Sequence, residues 1–141
     1  MMKWFHCKCC EGAGDWAPLV LRLSAGTIFF AHGWQKFGVL PVFGDFLDSL
    51  GVPMPVFFAG LVVGVELIGG AALVAGFLTH WVAKLLAIDM LVAFFLVHWQ
   101  NGVFVQNNGF ELVLLLLAVS VALALFGAGH WSLDGMWHKK K

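Results

Sequence analysis

Apolar residues gather into four long runs, 17–37, 55–78, 81–99 and 110–127, with polar residues concentrated between them. A helix needs roughly 20 residues to cross the ~30 Å hydrocarbon core of a bilayer, and each run is about that long. A chain of 141 residues has too little interior to bury four such runs in water. The pattern predicts an all-α integral membrane protein, a four-helix transmembrane bundle spanning residues 17–130. A lead at 1–16 and a basic tail at 131–141 flank it. Between the first two runs, Val42, Phe43, Phe46, Leu47 and Leu50 recur at helical spacing, with Asp45, Asp48 and Ser49 opposite. That is the signature of a short interfacial helix on the outer surface, ended by Gly51 and Pro53.

The second run is rich in glycine. Gly60 and Gly64 form a small-xxx-small pair that Ala71 and Ala75 continue, a face on which a second helix can approach closely, from this chain or another copy. Thr79 and His80 read as a two-residue turn that makes the second and third spans antiparallel neighbours. Asn101-Gly102 and Asn107-Asn108-Gly109 mark a polar loop before the fourth span.

Charge sets the orientation. Only 11% of residues are charged, against about 25% in ordinary soluble domains. Of the eight basic residues, all but Lys36 fall on the side of the two termini, which places the termini in the cytoplasm by the positive-inside rule. The tryptophans sit near the two interfaces, as indole rings prefer. The first run carries no small-residue cleavage site and reads as a retained span. Zero net charge excludes nucleic acid as an expected partner. Cys7, Cys9 and Cys10, beside His6, could hold a soft metal as thiolates. They lack the Cys-x-x-Cys pairing of structural zinc sites and read first as a juxtamembrane tail, so no metal is expected.

Polar residues inside the runs carry the candidate chemistry. Glu66 and Asp89 fall near the membrane midplane, counted at ~1.5 Å per residue from the outer ends of their spans. An intramembrane acid is protonated, paired or facing water, and two facing acids can share a proton. They are the candidate proton-handling pair; the alternative is a pair of neutral acids that fix packing. His32, Gln35 and Lys36 lie on the outer third of the first span, with His98 ending the third and Glu111 opening the fourth. With Glu66 they make a candidate binding set. Lys36 supplies charge, and the histidines exchange protons near neutral pH. The alternative has Lys36 snorkelling to the surface and Glu111 stabilising a helix start. Arg22 and Lys84 are expected to anchor their helices at the inner headgroups. There is no Walker loop, dinucleotide fingerprint, haem-attachment motif or nucleophile elbow.

Several of these segments resemble the DoxX family of small membrane proteins. They are Arg22-Leu23 with Gly26 to Phe30 and His32-Gly33-Trp34-Gln35-Lys36-Phe37, then Val65 to Gly70 and Gly76 to Thr79. Met90 to Ala93 with His98, Gly109-Phe110-Glu111, and Gly127 with Ser132 to Asp134 complete the likeness over about residues 18–135. The resemblance implies a four-helix membrane fold in a bacterial inner membrane. It also implies a role as subunit or partner of a quinone-linked or sulfur-related redox system. It makes His32, Lys36, Glu66, His98 and Glu111 family-like polar positions and leaves Asp89 outside that set. With no metal or flavin motif, the electron chemistry would come from a partner, and a quinone is the expected ligand. Two other functions fit the same residues: an oligomeric transporter or channel for a small solute, proton or metal, and a structural anchor or assembly factor.

Overall fold

Proline sets the start of three helices. Pro18, Pro41 and Pro55 occupy their first turns, where the missing amide hydrogen has no intrahelical acceptor to lose. The computed structural model describes residues 16–138. In it α1 is Ala17–Gly38, α2 Leu40–Ser49 and α3 Pro55–Ala75. The fourth helix, α4, begins as Thr79–Ala93, passes through one π-helical stretch at Phe94–His98 and closes as a tight turn at Trp99–Asn101. The fifth, α5, is Glu111–Phe126, and α6 is Leu133–His138. The cluster of Cys7, Cys9 and Cys10 lies outside the described residues.

The helices depart from the sequence pattern at their ends. The second apolar run stops as a helix at Ala75, because Gly76 takes the left-handed conformation (φ 67°) that favours glycine. Thr79 and His80 are not a turn. They open α4, and the reversal is made by Gly76, Phe77 and Leu78. The start of α4 is capped from a distance: the Asp134 carboxylate accepts hydrogen bonds from N of the preceding Leu78 and from Thr79 N, both at 2.8 Å. A helix inside the basic tail, α6, is what delivers that carboxylate; the sequence pattern gave no sign of it.

Antiparallel packing of α1 on α3 is the most intimate contact. Pro18, Arg22, Ala25, Gly26, Phe29 and Gly33 form one buried stripe of α1. A Cβ on Gly70 would lie 2.5 Å from the Phe30 backbone nitrogen and 2.7 Å from the Gly26 carbonyl oxygen, so backbone meets backbone there. Gly33 approaches Leu67 in the same way. The close-approach face of α3 is therefore Gly70. A Cβ on Gly60 or Gly64 would have nothing within 4 Å, and Ala71 and Ala75 are exposed, so no helix among the described residues lies on that stripe. The core then continues through Phe29, Leu73, Leu86, Met90, Leu116 and Leu123, joining α1, α3, α4 and α5.

Arg22 locks the end of the bundle where α1 begins and α3 stops. It is 1% exposed, and its guanidinium donates to the carbonyls of Val74 at 2.5 Å, Ala128 and His130 at 3.1 Å, Leu73 at 3.4 Å, and Trp131. The expectation that it reaches headgroups is thus corrected. Two of its acceptors are carbonyls in the last turn of α3, where Leu73 O also accepts from Gly76 N at 3.0 Å. A planar, five-donor group suits that radial set.

Among the described residues two helices are long and apolar enough to cross a membrane, Pro55–Ala75 and Thr79–Asn101. Only 33% and 22% of their apolar windows are buried inside the protein; the core helices of a water-soluble domain would be mostly covered. Ile68 and Leu125, both 74% exposed, typify the apolar outer faces, which a bilayer can cover and water would oppose. The α5 helix is apolar but has 16 residues, about 24 Å at the usual rise. Arg22, His32 and Lys36 lower the apolarity of α1.

Two outcomes follow from this packing. Gly70→Ala should destabilise the protein by about 1–3 kcal/mol through overpacking. Gly60→Ala, on the open stripe, should be neutral or stabilising by roughly 0.5–1 kcal/mol, as replacing a helical glycine usually is. Tryptophan-fluorescence melting in detergent reads both. In the same assay Arg22→Leu should cost about 3 kcal/mol or more, since it strands several buried carbonyls. Arg22→Lys should recover less than half, because an ammonium cannot reach them all.

Candidate functional site

The Glu66 side chain projects from the middle of α3 into the bundle and is 2% exposed. An isolated carboxylate in such a place is expensive. Its partner comes from α1: Lys36 Nζ donates to Glu66 Oε1 at 2.5 Å. Lys36 is half-buried and also lies over the Phe43 ring of α2, 5.4 Å from its centroid. The one lysine thus ties three helices together, through an ion pair and a cation–π contact. It turns inward rather than snorkelling out.

Above this pair is a cavity of about 350 Å³. Its polar wall groups include His32, Lys36, Glu66, Asp89 and His98; Phe29, Phe43, Phe46, Met90 and Leu116 are among the apolar ones. The cavity lies within the usual size range of small-molecule sites, about 300–1,000 Å³, and has their usual character of apolar walls with few polar groups.

Five of the sequence-predicted site residues therefore share one cavity, and two do not. Gln35 is exposed on the outside of α1. Glu111 is not in the wall; its Oε1 accepts a hydrogen bond from Val105 N at 2.7 Å. Val105 and Asn108 belong to the loop that closes the cavity, so Glu111 positions that loop from the start of α5. The two acids both reach the cavity, yet no hydrogen bond joins them. Glu66 Oε2 and Asp89 Oδ2 are buried and have no partner among the described residues. Asp89 is within electrostatic reach of both Glu66 and Lys36. Lys84, on the same helix nearer the inner end, instead lies over Trp81, 4.5 Å from its ring.

Two determinants of the site had little signal in the sequence. The π-helical stretch Phe94–His98 changes the register of α4 just where Leu96, Val97 and His98 enter the wall; such bulges occur often at functional sites. His98 Nδ1 lies 2.7 Å from the Asn108 carbonyl oxygen. A carbonyl only accepts, so Nδ1 carries the hydrogen and Nε2 of the neutral ring is an acceptor. Phe43 and Phe46 are the second case. Their spacing marks an amphipathic helix, but only the fold turns them toward Glu66 rather than toward lipid.

The DoxX family model matches residues 17–99, more than half of the chain and the whole of α1 to the end of the π-helical stretch. The chain belongs to the DoxX family. It is a membrane protein of that family, and α5, which supplies Leu112, Val113 and Leu116 to the cavity, follows the matched region. Similar relatives extend over nearly all of this DoxX chain. "Putative oxidoreductase CatD" of Bacillus subtilis (strain 168) is 36% identical over 87% of this chain and 88% of its own length. "Inner membrane protein YqjF" of Escherichia coli (strain K12) is 31% identical over 89% and 95%, respectively. "Uncharacterized membrane protein Rv3486" of Mycobacterium tuberculosis (strain ATCC 25618 / H37Rv) is 32% identical over 90% and 85%. No solved structure matches the chain.

The ion pair makes a prediction of its own. Lys36→Met leaves Glu66 buried and unpaired and should lower stability by about 3–5 kcal/mol. The double variant Lys36→Met/Glu66→Leu should regain most of that loss, because no charge is left behind. Denaturant titration of these variants and of Glu66→Leu alone in detergent measures the coupling; a double-variant loss equal to the sum of the two single losses would show that the pair is not coupled.

Proposed function

We propose that this chain is a membrane subunit or partner of a quinone-linked or sulfur-related redox system, and that its cavity takes a quinone-like headgroup. In this reading all four long helices cross the inner membrane of a bacterium, α2 lies on the outer surface, and both termini are cytoplasmic. The observation that carries the reading is the Lys36–Glu66 pair set in an aromatic-walled cavity. The name of the Bacillus relative, which includes the word oxidoreductase, supports the redox part.

The wall residues suit such a ligand. A flat ring packs well on Phe29, Phe43 and Phe46. Lys36 and His32 supply donors for a ring oxygen, and Glu66 holds the lysine in place. When bound, a quinone supplies a two-electron, two-proton redox couple. The chain's own residues bind and orient it, keep water out, and offer Glu66 and Asp89 as groups that hold a proton. The electrons come from or go to a partner protein.

Purification in mild detergent tests this. A redox enzyme should co-purify in stoichiometric amount, solvent extraction should recover quinone, and Lys36→Met should lose that quinone. Unchanged quinone-linked respiration and thiosulfate oxidation in a deletion strain, with no quinone in the purified protein, would overturn the reading. Ion movement by the pure protein in liposomes, abolished by Glu66→Gln, would replace it with a transporter.

A further inference from the structure

We propose that the cavity selects the reduced, dihydroxy form of its aromatic ligand, a hydroquinone, over the quinone that form becomes on oxidation. The proposal rests on the quinone reading above and adds a preference between its two states. It follows from the inventory of donors and acceptors in the wall.

Buried acceptors without a donor mark that inventory. Glu66 Oε2 and Asp89 Oδ2 are buried and have no donor among the described residues, and Glu66 is itself 2% exposed. Both residues line the cavity. His98 adds a third acceptor while neutral, because its Nδ1 hydrogen is directed to the Asn108 carbonyl and Nε2 keeps its lone pair. Lys36 has already given one hydrogen to Glu66 Oε1. Its remaining hydrogens and His32 can hold one ring oxygen, so the quinone is admitted.

A quinone presents two carbonyl oxygens, which only accept. It leaves the orphan carboxylate oxygens as they are. A hydroquinone presents two hydroxyl groups, each of which donates as well as accepts, and so satisfies acceptors that the fold leaves unpaired. Hydrogen bonds from a neutral donor to a carboxylate are among the stronger ones, more so away from water. A proton held on Asp89 does not reverse the balance, since Glu66 Oε2 still accepts.

A bare cation would also satisfy carboxylates. The walls speak against it. They are chiefly aromatic and aliphatic, the volume far exceeds one ion, and the Lys36 ammonium already stands beside Glu66. The linkage has a direct consequence: tighter binding of the reduced form raises the ligand's midpoint potential, by about 30 mV for each tenfold preference in a two-electron couple.

Isothermal titration of the full chain in lipid nanodiscs under argon tests this, with duroquinone and durohydroquinone as probes. Durohydroquinone should bind about tenfold tighter or more, the effect of satisfying one buried acceptor. Asp89→Asn should shrink the ratio to roughly threefold or less, because the amide both accepts and donates. The wild-type ratio decides the question even where that variant does not fold. Equal affinities, or tighter duroquinone binding, would overturn the selectivity and leave the quinone reading standing. Binding of neither probe would overturn both. Heat from sodium chloride alone, lost in Asp89→Asn, without durohydroquinone binding would put a cation there instead.

Discussion

The approach of α1 to α3 at Gly26, Gly33 and Gly70 is the constraint on which the rest of the structure depends. Where a Cβ on Gly70 would stand 2.5 Å from a backbone nitrogen, no side chain fits. In lipid, where apolar surface gains little by leaving one apolar medium for another, helices associate through such backbone-close packing and through polar contacts. Both are used along this one seam. Glycine occupies its middle, Arg22 closes one end on the carbonyls of Leu73 and Val74, and Lys36 closes the other on Glu66.

The two cations meet unlike partners, and the difference separates structure from function. Arg22 finds only backbone carbonyls, all in place once α3 ends and the segment after α5 returns across it. That arrangement directs the guanidinium's donors to backbone alone. Lys36 finds a side chain, and its partner keeps one oxygen unsatisfied beside Asp89. Buried polar groups are ordinarily paired. Two orphan carboxylate oxygens, on residues that line one cavity, therefore set the Lys36 end of the seam apart from the Arg22 end.

The cavity is held by elements that each do a different task. The aromatic wall of α2 is fixed by Lys36 lying over Phe43. The loop at 102–109 is held by Glu111 through Val105 and by His98 through Asn108. The π-helical stretch at Phe94–His98 rotates the end of α4 so that His98 can serve both the loop and the wall. A charge change at Glu111 would thus be felt in the cavity without Glu111 touching a ligand.

The sequence by itself determined the medium and the helical class, because runs of apolar residues near 20 long answer to lipid thickness wherever they are placed in space. It also singled out Glu66, Asp89, His32, Lys36 and His98, since polar groups in such runs are costly enough to be few. Only the tertiary structure decided their company. That Gly70 and not Gly60 meets a helix, that Arg22 turns inward, that Gln35 faces out and that Glu111 braces a loop all depend on helix rotation. Rotation is set by packing between residues far apart in the chain. Asp134 shows the same limit: its carboxylate caps α4 across 55 residues of sequence, a distance at which local pattern carries no information and only the folded chain brings donor and acceptor together.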